Sequence, residues 1–524
     1  MGLLRSASVF SGLTLVSRVF GLIRDQIIAI VFGPGPGLDA FWVAFKIPNF
    51  MRRLFAEGAF SQAFVPVLGE YKVTQGDNAV RELISRVAGT LALVLFGVTV
   101  LGILVFPWLI LKYGPLAVAN QHKLQLTADM LVLTLPYILF ISLTALAGGV
   151  LNTYRRFAVP AFTPVFLNLC LIGAALLLAP YLPAGYEVTS LAWGLFVAGI
   201  VQLLFQFPFL ARLGFLSWPK LGFRHPGVRK ILRLMGPAIL GSAVVQINLM
   251  VDLLIAYTLL PDGSVSWLTF SDRLVEFPLG IFGVALGTVI LPSLSQHHAA
   301  TDPTRFSHTL DWGIRWTMLL GLPAMVGLVI MAGPLLTTLF NYGAFSEHDV
   351  VMSQMSLFAY AAGLLGFMLV KVLTPGFYAR QDTKTPVRIA VIAMLINMGL
   401  NLGFVIPWIK LGWPAPHAGL ALATTIAAFV NSGMLLIMLK RQGVYRAAPG
   451  WGKLLAQIFA GLIPMALILV FVMQGIADWF DWPAWQRGLL LLGWVLAAVL
   501  IYFGGLYLAG FRLAQFRAEH PGKE

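Results

Sequence analysis

Arginine and lysine residues recur within segments that are otherwise apolar. The stretch SRVFGLIRDQ places Arg18 and Arg24 in one apolar run. The stretch DAFWVAFKIPNFMRRLFAEGAFSQAF adds a second polar group: Asp39, Lys46, Asn49, Arg52, Arg53 and Glu57. A third stretch, SDRLVEFP, carries Asp272, Arg273 and Glu276. Because a guanidinium group keeps its charge and can bind two phosphate oxygens at once, these arginines indicate a site for a phosphate-bearing molecule.

Local ion pairs are the alternative interpretation of the same residues. Three pairs could form within their own segments: Arg24 with Asp25, Arg53 with Glu57, and Arg273 with Glu276. A cation near the end of a span can also extend its charge to the interface. We favour the phosphate site for four residues: Arg18, Arg24, Arg52 and Arg273. For Lys46 and Arg53 we favour a structural role. We expect Asn49 and the acids Asp39, Glu57 and Glu276 to belong to the same substrate site, where the acids orient arginines.

The elements that position these residues are membrane spans. Of the 524 residues, 59% are hydrophobic and 11% are charged, and apolar runs of the roughly 20 residues that cross a bilayer recur along the chain. We predict an all-α polytopic membrane protein with about fourteen spans. They lie near residues 8–32, 38–68, 84–111, 124–152, 158–180, 187–210, 231–260, 264–296, 309–332, 349–379, 385–407, 416–440, 452–474 and 486–511. A cation at the bilayer centre costs about 2.5 to 3.5 kcal/mol, so several together require a wet cavity.

The charge distribution gives an orientation. The formal net charge is +14, but Lys and Arg cluster in alternate short loops, which is the pattern of cytoplasmic loops and not of a nucleic-acid-binding surface. An even number of spans places both termini on the cytoplasmic side of the inner membrane.

A weak internal repeat predicts two related halves. AFSQAFVPVL at 59–68 corresponds to ALGTVILPSL at 285–294, and RRFAVPAFTPV at 155–165 corresponds to QDTKTPVRIAV at 381–391, both at an interval of 226. We therefore predict an N-lobe of six spans (1–217), an interfacial linker (218–230), a C-lobe of six spans (231–442) and a carboxy-terminal region of two spans (443–524). Chance similarity among apolar helices is the alternative.

Sequence motifs of enzymes are missing. The chain has no GxxxxGK[ST], HExxH or GxSxG motif, so we predict neither catalytic residues nor a cofactor. The lone cysteine, Cys170, can form no internal disulfide. Transport would then draw on an ion gradient or on the membrane potential.

Longer motifs resemble a known family. SRVFGLIRD, DAFWVAFKIPNFMRRLFAEGAFSQAFVPVL, GPAILGSAVVQ, GSVSW, DRLVEFPLGIFGVALGTVILPSLS and VKVLTPGFYARQDTKTPV are similar to the MurJ (MviN) lipid II flippases of the multidrug/oligosaccharidyl-lipid/polysaccharide exporter superfamily. The resemblance implies two six-helix lobes in a V around a central cavity, with a groove for the lipid tail formed by the last two helices. It implies that Arg18, Arg24, Arg52 and Arg273 are the essential cavity arginines, and that Asp39 is a further functional acid.

The function implied is transport of lipid II, the undecaprenyl-diphosphate-linked peptidoglycan precursor, from the cytoplasmic to the periplasmic leaflet by alternating access. Lipid II and the membrane are the expected partners of a functional monomer, with contacts to cell-wall synthesis enzymes. Three alternatives stay open: a flippase for another polyprenyl-linked glycan, an ion-coupled drug exporter, and a membrane scaffold without transport. Gly33 to Gly37 and the pair Gly236 and Pro237 could act as hinges or as ordinary turns and helix starts.

Polar residues within three apolar spans suggest a binding site for a sodium ion that could drive transport. Asp252 lies in an apolar run, and a buried carboxylate needs a cation, a proton or a hydrogen-bond donor. Asn397 and Asn401 share a helix face, and Thr424 lies on the next span. The set resembles the Na⁺ site of some family members, with Asn401 where Asp can occur. Proton coupling, the membrane potential alone and a structural role are the alternatives.

Overall fold

Helices form most of the part of the chain that the structure describes. A computed structural model describes residues 2–53, 60–116, 118–473 and 476–512, and this part of the chain contains no β-strand. The first ten helices are α1 (Gly2–Phe32), α2 (Pro36–Met51), α3 (Ser61–Thr74), α4 (Gly76–Tyr113), α5 (Gln121–Thr134), α6 (Tyr137–Thr153), α7 (Ala158–Gly173), α8 (Thr189–Arg212), α9 (Pro226–Leu259) and α10 (Ser264–Pro278). The next ten are α11 (Val284–Ala299), α12 (Pro303–Ile330), α13 (Ala332–Phe340), α14 (Glu347–Leu373), α15 (Pro375–Tyr378), α16 (Lys384–Lys410), α17 (His417–Arg441), α18 (Trp451–Val472), α19 (Ile476–Asp481) and α20 (Ala484–Leu508).

Membrane-spanning character follows from helix length and hydropathy. Among the described residues, 11 helical segments are long and apolar enough to cross a bilayer, which confirms the prediction of a polytopic all-α protein. Each of the predicted spans overlaps one helix or two consecutive helices. A π-helical turn at Leu279–Gly283 joins α10 to α11, so the helix carrying Arg273 continues across its proline. The count of fourteen spans stays a prediction.

The chain forms two compact units. One comprises Met1–Ser266 with Tyr342–Phe345, and the other comprises Trp267–Asn341 with Ser346–Glu524. A core cluster of the first unit includes stacked Phe60 and Phe64, whose ring centroids lie 5.0 Å apart. In the second unit, one apolar cluster joins α12, α18 and α20. Another packs the start of α12 against the carboxy-terminal ends of α14 and α17. The predicted lobe boundaries stay predictions.

Two helix ends repeat at the interval found in the sequence. Arg155 after α6 and Gln381 after α15 both have a φ of 61°, in the left-handed region. The N–H of Arg155 donates to the Asn152 carbonyl at 3.0 Å, and the N–H of Gln381 donates to the Tyr378 carbonyl at 2.9 Å. Since 381 − 155 is 226, the two units end corresponding helices with the same turn.

The predicted hinge positions have different surroundings. Gly33 ends α1 with a φ of +62°, and a Cβ there would lie 2.4 Å from the Ala344 carbonyl oxygen. Glycine is therefore required by both the backbone conformation and the close approach. Pro36 is the first residue of α2, a position that tolerates its missing N–H. Gly236 and Pro237 lie within the uninterrupted helix α9.

The predicted interfacial stretch from Trp218 onward is fixed to α4. The Ser85 hydroxyl donates to the Trp218 carbonyl at 2.5 Å, and the Lys220 N–H donates to the Ser85 carbonyl at 3.0 Å. The indole of Trp218 is 88% exposed, as expected of an aromatic side chain at a membrane interface.

Candidate substrate site

Arg24 is buried between α1 and α7 of the first unit. Its Nε and Nη2 donate to Asp25 Oδ1 at 2.9 and 2.6 Å, and its Nη1 donates to Asn168 Oδ1 at 3.1 Å. The Asn168 amide donates in turn to the Ser17 carbonyl at 3.1 Å. With Arg24 at 5% exposure and Asp25 at 2%, this pair fixes the guanidinium orientation. An anion would meet an arginine whose Nε and Nη2 edge is already held by a carboxylate.

Arg52 lies in the same unit, in a π-helical turn that continues α2. Its Nε donates to Asn49 Oδ1 at 2.8 Å. Both Arg52 and Arg24 lie within electrostatic range of the Tyr137 hydroxyl, which donates to Gln202 Oε1 at 3.2 Å. Three predicted site residues, Arg24, Arg52 and Asn49, therefore belong to the first unit, where Asn49 holds Arg52.

Other predicted cations of the first unit are more exposed. Arg18 and Arg53 are exposed, and Lys46 is half-buried. Six residues separate Arg18 from Arg24, which turns the helix by about 240°, so the two guanidinium groups leave α1 on different faces. Glu57 lies outside the described residues.

Asp39 is fully buried and contacts a lysine and a helix start, where we expected it to orient an arginine. Its carboxylate accepts from the Gly263 N–H at 2.7 Å, and from the N–H and hydroxyl of Ser266 at 2.9 and 2.7 Å. It thus caps the first turn of α10 from another helix. The Lys123 Nζ lies 3.8 Å from Asp39 Oδ2 and 2.8 Å from Asp262 Oδ1. Lys123 is itself only 1% exposed, so this lysine belongs to the buried polar group and not to a solvated loop.

Arg273 belongs to the second unit and has a different setting. Its Nη1 donates to Glu276 Oε2 at 2.9 Å, one helical turn away, and the two side chains are 35% and 46% exposed. Asp272 is exposed as well. The pair that we gave as the alternative interpretation is therefore present, but it is local to α10 and open to solvent.

The candidate sodium ligands are divided between the units. In the first unit, Asp252 Oδ2 accepts from the Asn248 amide at 3.4 Å. In the second, Asn397 and Asn401 are 1% and 0% exposed, and the Thr424 hydroxyl donates to the Leu420 carbonyl at 3.0 Å. No group of three or more His, Cys, Asp or Glu side chains that could hold a metal ion occurs in the described part of the chain.

The last two long helices form an apolar groove. Helices α18 and α20 cross at Gly461 and Gly505, where a Cβ on Gly461 would lie 2.4 Å from the Tyr502 carbonyl oxygen. Beside this crossing is a cavity of about 480 Å³, lined by Ala460, Pro464, Ile501, Gly504, Gly505, Leu508 and Ala509. Small residues allow the backbones to approach closely, and the lining offers a polyprenyl chain only apolar side chains. Arg487 turns away to donate to carbonyls, including that of Phe480 at 2.6 Å.

Sequence reasoning missed the partners of the arginines. Asn168 is the one amide in the apolar helix α7, AVPAFTPVFLNLCLIG, and this isolated polar residue was the available signal. Tyr137 and Gln202 lie near the middle of the predicted spans 124–152 and 187–210, where a polar side chain needs a partner, so these two residues were also available signals.

Comparisons with known proteins give consistent matches. Residues 28–484 match the family described as Lipid II flippase MurJ. A probable lipid II flippase MurJ of Vibrio cholerae is 46% identical, with 98% of each chain covered, and a lipid II flippase MurJ of Burkholderia cenocepacia is 42% identical, with 99% of each covered. A solved lipid II flippase MurJ in an inward closed conformation has a TM-score of 0.76 at 28% identity, covering 95% of this chain and 97% of that chain. An inward-facing multidrug resistance MATE family transporter of the MOP superfamily, with a TM-score of 0.65 at 13% identity and coverage of 84% and 98%, shares the fold alone.

Proposed function

Since the chain belongs to the lipid II flippase MurJ family, we propose that its membrane arginines bind the diphosphate of lipid II during transport. The chain is a multi-pass membrane protein and a transporter, and lipid II is its substrate. The observation that supports the arginine role is the buried setting of Arg24, whose guanidinium is oriented by Asp25 and Asn168 within the first unit. Arg24 and Arg52 both belong to the first unit, and two guanidinium cations equal in number the negative charges of a diphosphate diester.

The proposed site works by exchange at Arg24. Asp25 occupies the Nε and Nη2 edge of the guanidinium, which is the edge that a phosphate would bind in bidentate fashion. A diphosphate entering the site competes with Asp25, while Asn168 keeps hold of Nη1. Arg18 and Arg273 are proposed as further phosphate ligands, and their exposure leaves them accessible to a charged head group.

The groove between α18 and α20 is proposed as the binding site of the undecaprenyl tail. Its lining is apolar, and its walls come from two helices with few polar side chains. Labelling by a photoactivatable polyprenyl chain should concentrate in 451–511. Labelling confined to the amino-terminal six spans would contradict this assignment.

The remaining architecture is part of the proposal. We propose fourteen spans, in two six-helix lobes followed by two further helices, in the inner membrane with both termini cytoplasmic. The positive residues of alternate loops support this orientation. Transport from the cytoplasmic to the periplasmic leaflet would proceed by alternating access in a functional monomer, which cell-wall synthesis enzymes could contact.

Sodium is the proposed coupling ion, with Asp252, Asn397, Asn401 and Thr424 as its ligands. Carboxylate, amide and hydroxyl oxygens are the donors that a hard cation prefers. In reconstituted vesicles, an imposed Na⁺ gradient should accelerate flipping by the wild type and leave the Asp252→Ala variant unaffected. Equal wild-type rates with and without Na⁺ would exclude sodium coupling.

The transport proposal is tested by a flipping assay with purified protein in vesicles. Lipid II should cross at a rate that depends on Arg24 and Arg52, while polyprenyl diphosphates carrying other glycans should cross more slowly. Equal rates for all polyprenyl glycans would reassign the specificity from lipid II to the shared diphosphate.

A further inference from the structure

A buried carboxylate in α12 organises the start of α18. Asp311 is 2% exposed. Its Oδ2 accepts from Arg315 Nε at 2.6 Å, and its Oδ1 accepts from the Tyr445 hydroxyl at 2.8 Å and the Trp451 indole N–H at 2.9 Å. The N–H of Ala448 approaches the same oxygen at 3.4 Å. One carboxylate therefore fixes three positions between residues 445 and 451, the connection that leads from α17 to α18.

Arg315 completes this arrangement from the same helix. Its Nη2 donates to the Ala448 and Pro449 carbonyls at 3.1 and 2.8 Å, and its guanidinium carbon lies 5.2 Å from the centre of the Trp451 ring. Gly450, with a φ of +93°, then turns the chain into α18. This left-handed conformation is the one that glycine adopts without strain.

The direction of α18 matters because this helix forms one wall of the groove. The other wall, α20, is also tied to α12, since the Tyr502 hydroxyl donates to the Leu319 carbonyl at 2.7 Å. Between these two attachments the helices share one apolar cluster that includes Leu454, Ile458 and Leu462. Apolar packing tolerates sliding and rotation, whereas hydrogen bonds to a buried carboxylate hold a single geometry.

The electrostatics support a fixed role for the carboxylate. Burial and the Asp311 charge together raise the pKa of Tyr445 above its ordinary value, so the phenol remains a hydrogen-bond donor throughout the physiological pH range. A charged group buried this deeply is costly unless it is fully hydrogen-bonded. Replacing Asp311 by Asn would present an amide N–H₂ to at least one of the donors now facing the carboxylate.

We propose that Asp311 is a positioning residue for the polyprenyl tail, holding α18 at the angle that keeps the groove open for the chain. The inference rests on the proposed function, in which the groove between α18 and α20 receives the tail. Asp311 itself contacts no substrate. Its effect on transport should therefore depend on how long the tail is.

Tail length supplies the test. Flipping of lipid II with its undecaprenyl chain is compared with flipping of the same head group on a farnesyl chain, in vesicles containing the wild type or Asp311→Asn. We expect Asp311→Asn to slow the long-tailed substrate about tenfold, the equivalent of roughly one lost charged hydrogen bond, and to leave the short-tailed substrate unchanged. Asp302→Asn is the matched control, because Asp302 is a solvent-accessible helix-capping acid at the start of the same helix.

The outcomes separate this inference from the function on which it rests. Equal slowing of both substrates, or of neither, would overturn the role of Asp311 while leaving the groove assignment intact. If the wild type flips the undecaprenyl and farnesyl substrates at the same rate, the groove is not the binding site of the tail, and the inference fails with that assignment. If Asp311→Asn fails to insert, Trp451→Phe removes a single donor and should show the same tail-dependent loss to a smaller degree. Identical slowing of both substrates by that variant would also overturn the inference.

Discussion

Arg24 and Arg273 look alike in the sequence but differ in the folded protein. Arg24 is 5% exposed and bound by Asp25 and by Asn168, which is 144 residues away in the chain. Arg273 is held by Glu276 of its own helix, with 35% of its side chain exposed. The first arginine is an oriented, desolvated donor, while the second is a partly exposed charge paired with a carboxylate of its own helix. Substitutions should therefore affect stability and transport in different proportions at the two sites.

The largest effect is expected for Arg24→Ala. It removes a proposed phosphate ligand and breaks a buried ion pair with Asp25, a loss of about 3 to 5 kcal/mol of stability. Transport should be abolished, as measured by complementation of a flippase-depleted strain and by flipping in vesicles. Arg24→Lys should rescue poorly, since an ammonium group lacks the planar fork.

A double variant separates the two consequences of losing Arg24. Arg24→Ala with Asp25→Asn also removes the buried Asp25 charge and should restore the amount of inserted protein without restoring transport. Full transport by this double variant would show that Arg24 serves only to neutralise Asp25.

Arg273→Ala should abolish transport with little change in stability. An exposed ion pair contributes about 0 to 1 kcal/mol, so the thermal midpoint of the purified protein should stay close to that of the wild type. The measurement is complementation at matched expression together with a thermal unfolding curve. Normal growth of this variant would remove Arg273 from the proposed site.

Asn168→Ala should have an intermediate effect. It keeps the Arg24 charge and its pairing with Asp25 but frees Nη1, which Asn168 now holds at 3.1 Å. We expect flipping to slow by about tenfold, the equivalent of roughly 1.4 kcal/mol. Asn168→Gln, which retains the amide at a greater reach, should recover part of the rate. A wild-type rate for Asn168→Ala would mean that Asp25 alone orients the arginine.

The smallest effect is expected for Glu276→Gln. Glu276 is 46% exposed and pairs only across one turn with Arg273 among the contacts described above, so its loss should change stability by less than about 1 kcal/mol. Flipping should stay within about twofold of the wild type. A complete loss of flipping would show that the carboxylate has a role beyond its ion pair.

Hydropathy and charge were sufficient to predict the helices and the polar group on α1 and α2. Long apolar runs can only be helical in a bilayer. A cation inside such a run is costly unless it has a charged or polar partner or faces a water-filled cavity. The partners could not be predicted. Asn168, Lys123 and Asp311 each contact a residue more than a hundred positions away in the chain. Hydrophobic periodicity predicts which face of a helix is buried, but it does not predict which residues of another helix pack against that face.

The environment of Asp39 shows a second limit of the sequence. An acid among arginines suggests an arginine partner, yet its oxygens accept from the N–H groups of Gly263 and Ser266. A backbone N–H at a helix start is present whatever the residue type, so the sequence does not show that it binds a distant carboxylate. Such a contact becomes visible only when the helices are packed.

The crossing of α18 and α20 at Gly461 and Gly505 fixes a dimension of the protein. Because backbone meets backbone there, the separation of the helices cannot be adjusted by changes of rotamer. If the proposed groove receives the lipid tail, adaptation during docking falls to the polyprenyl chain, which loses conformational entropy as it straightens. A rigid groove and a flexible chain give modest affinity and rapid release, because the ordering of the chain opposes binding. That combination suits a carrier that must let go of its cargo in every cycle.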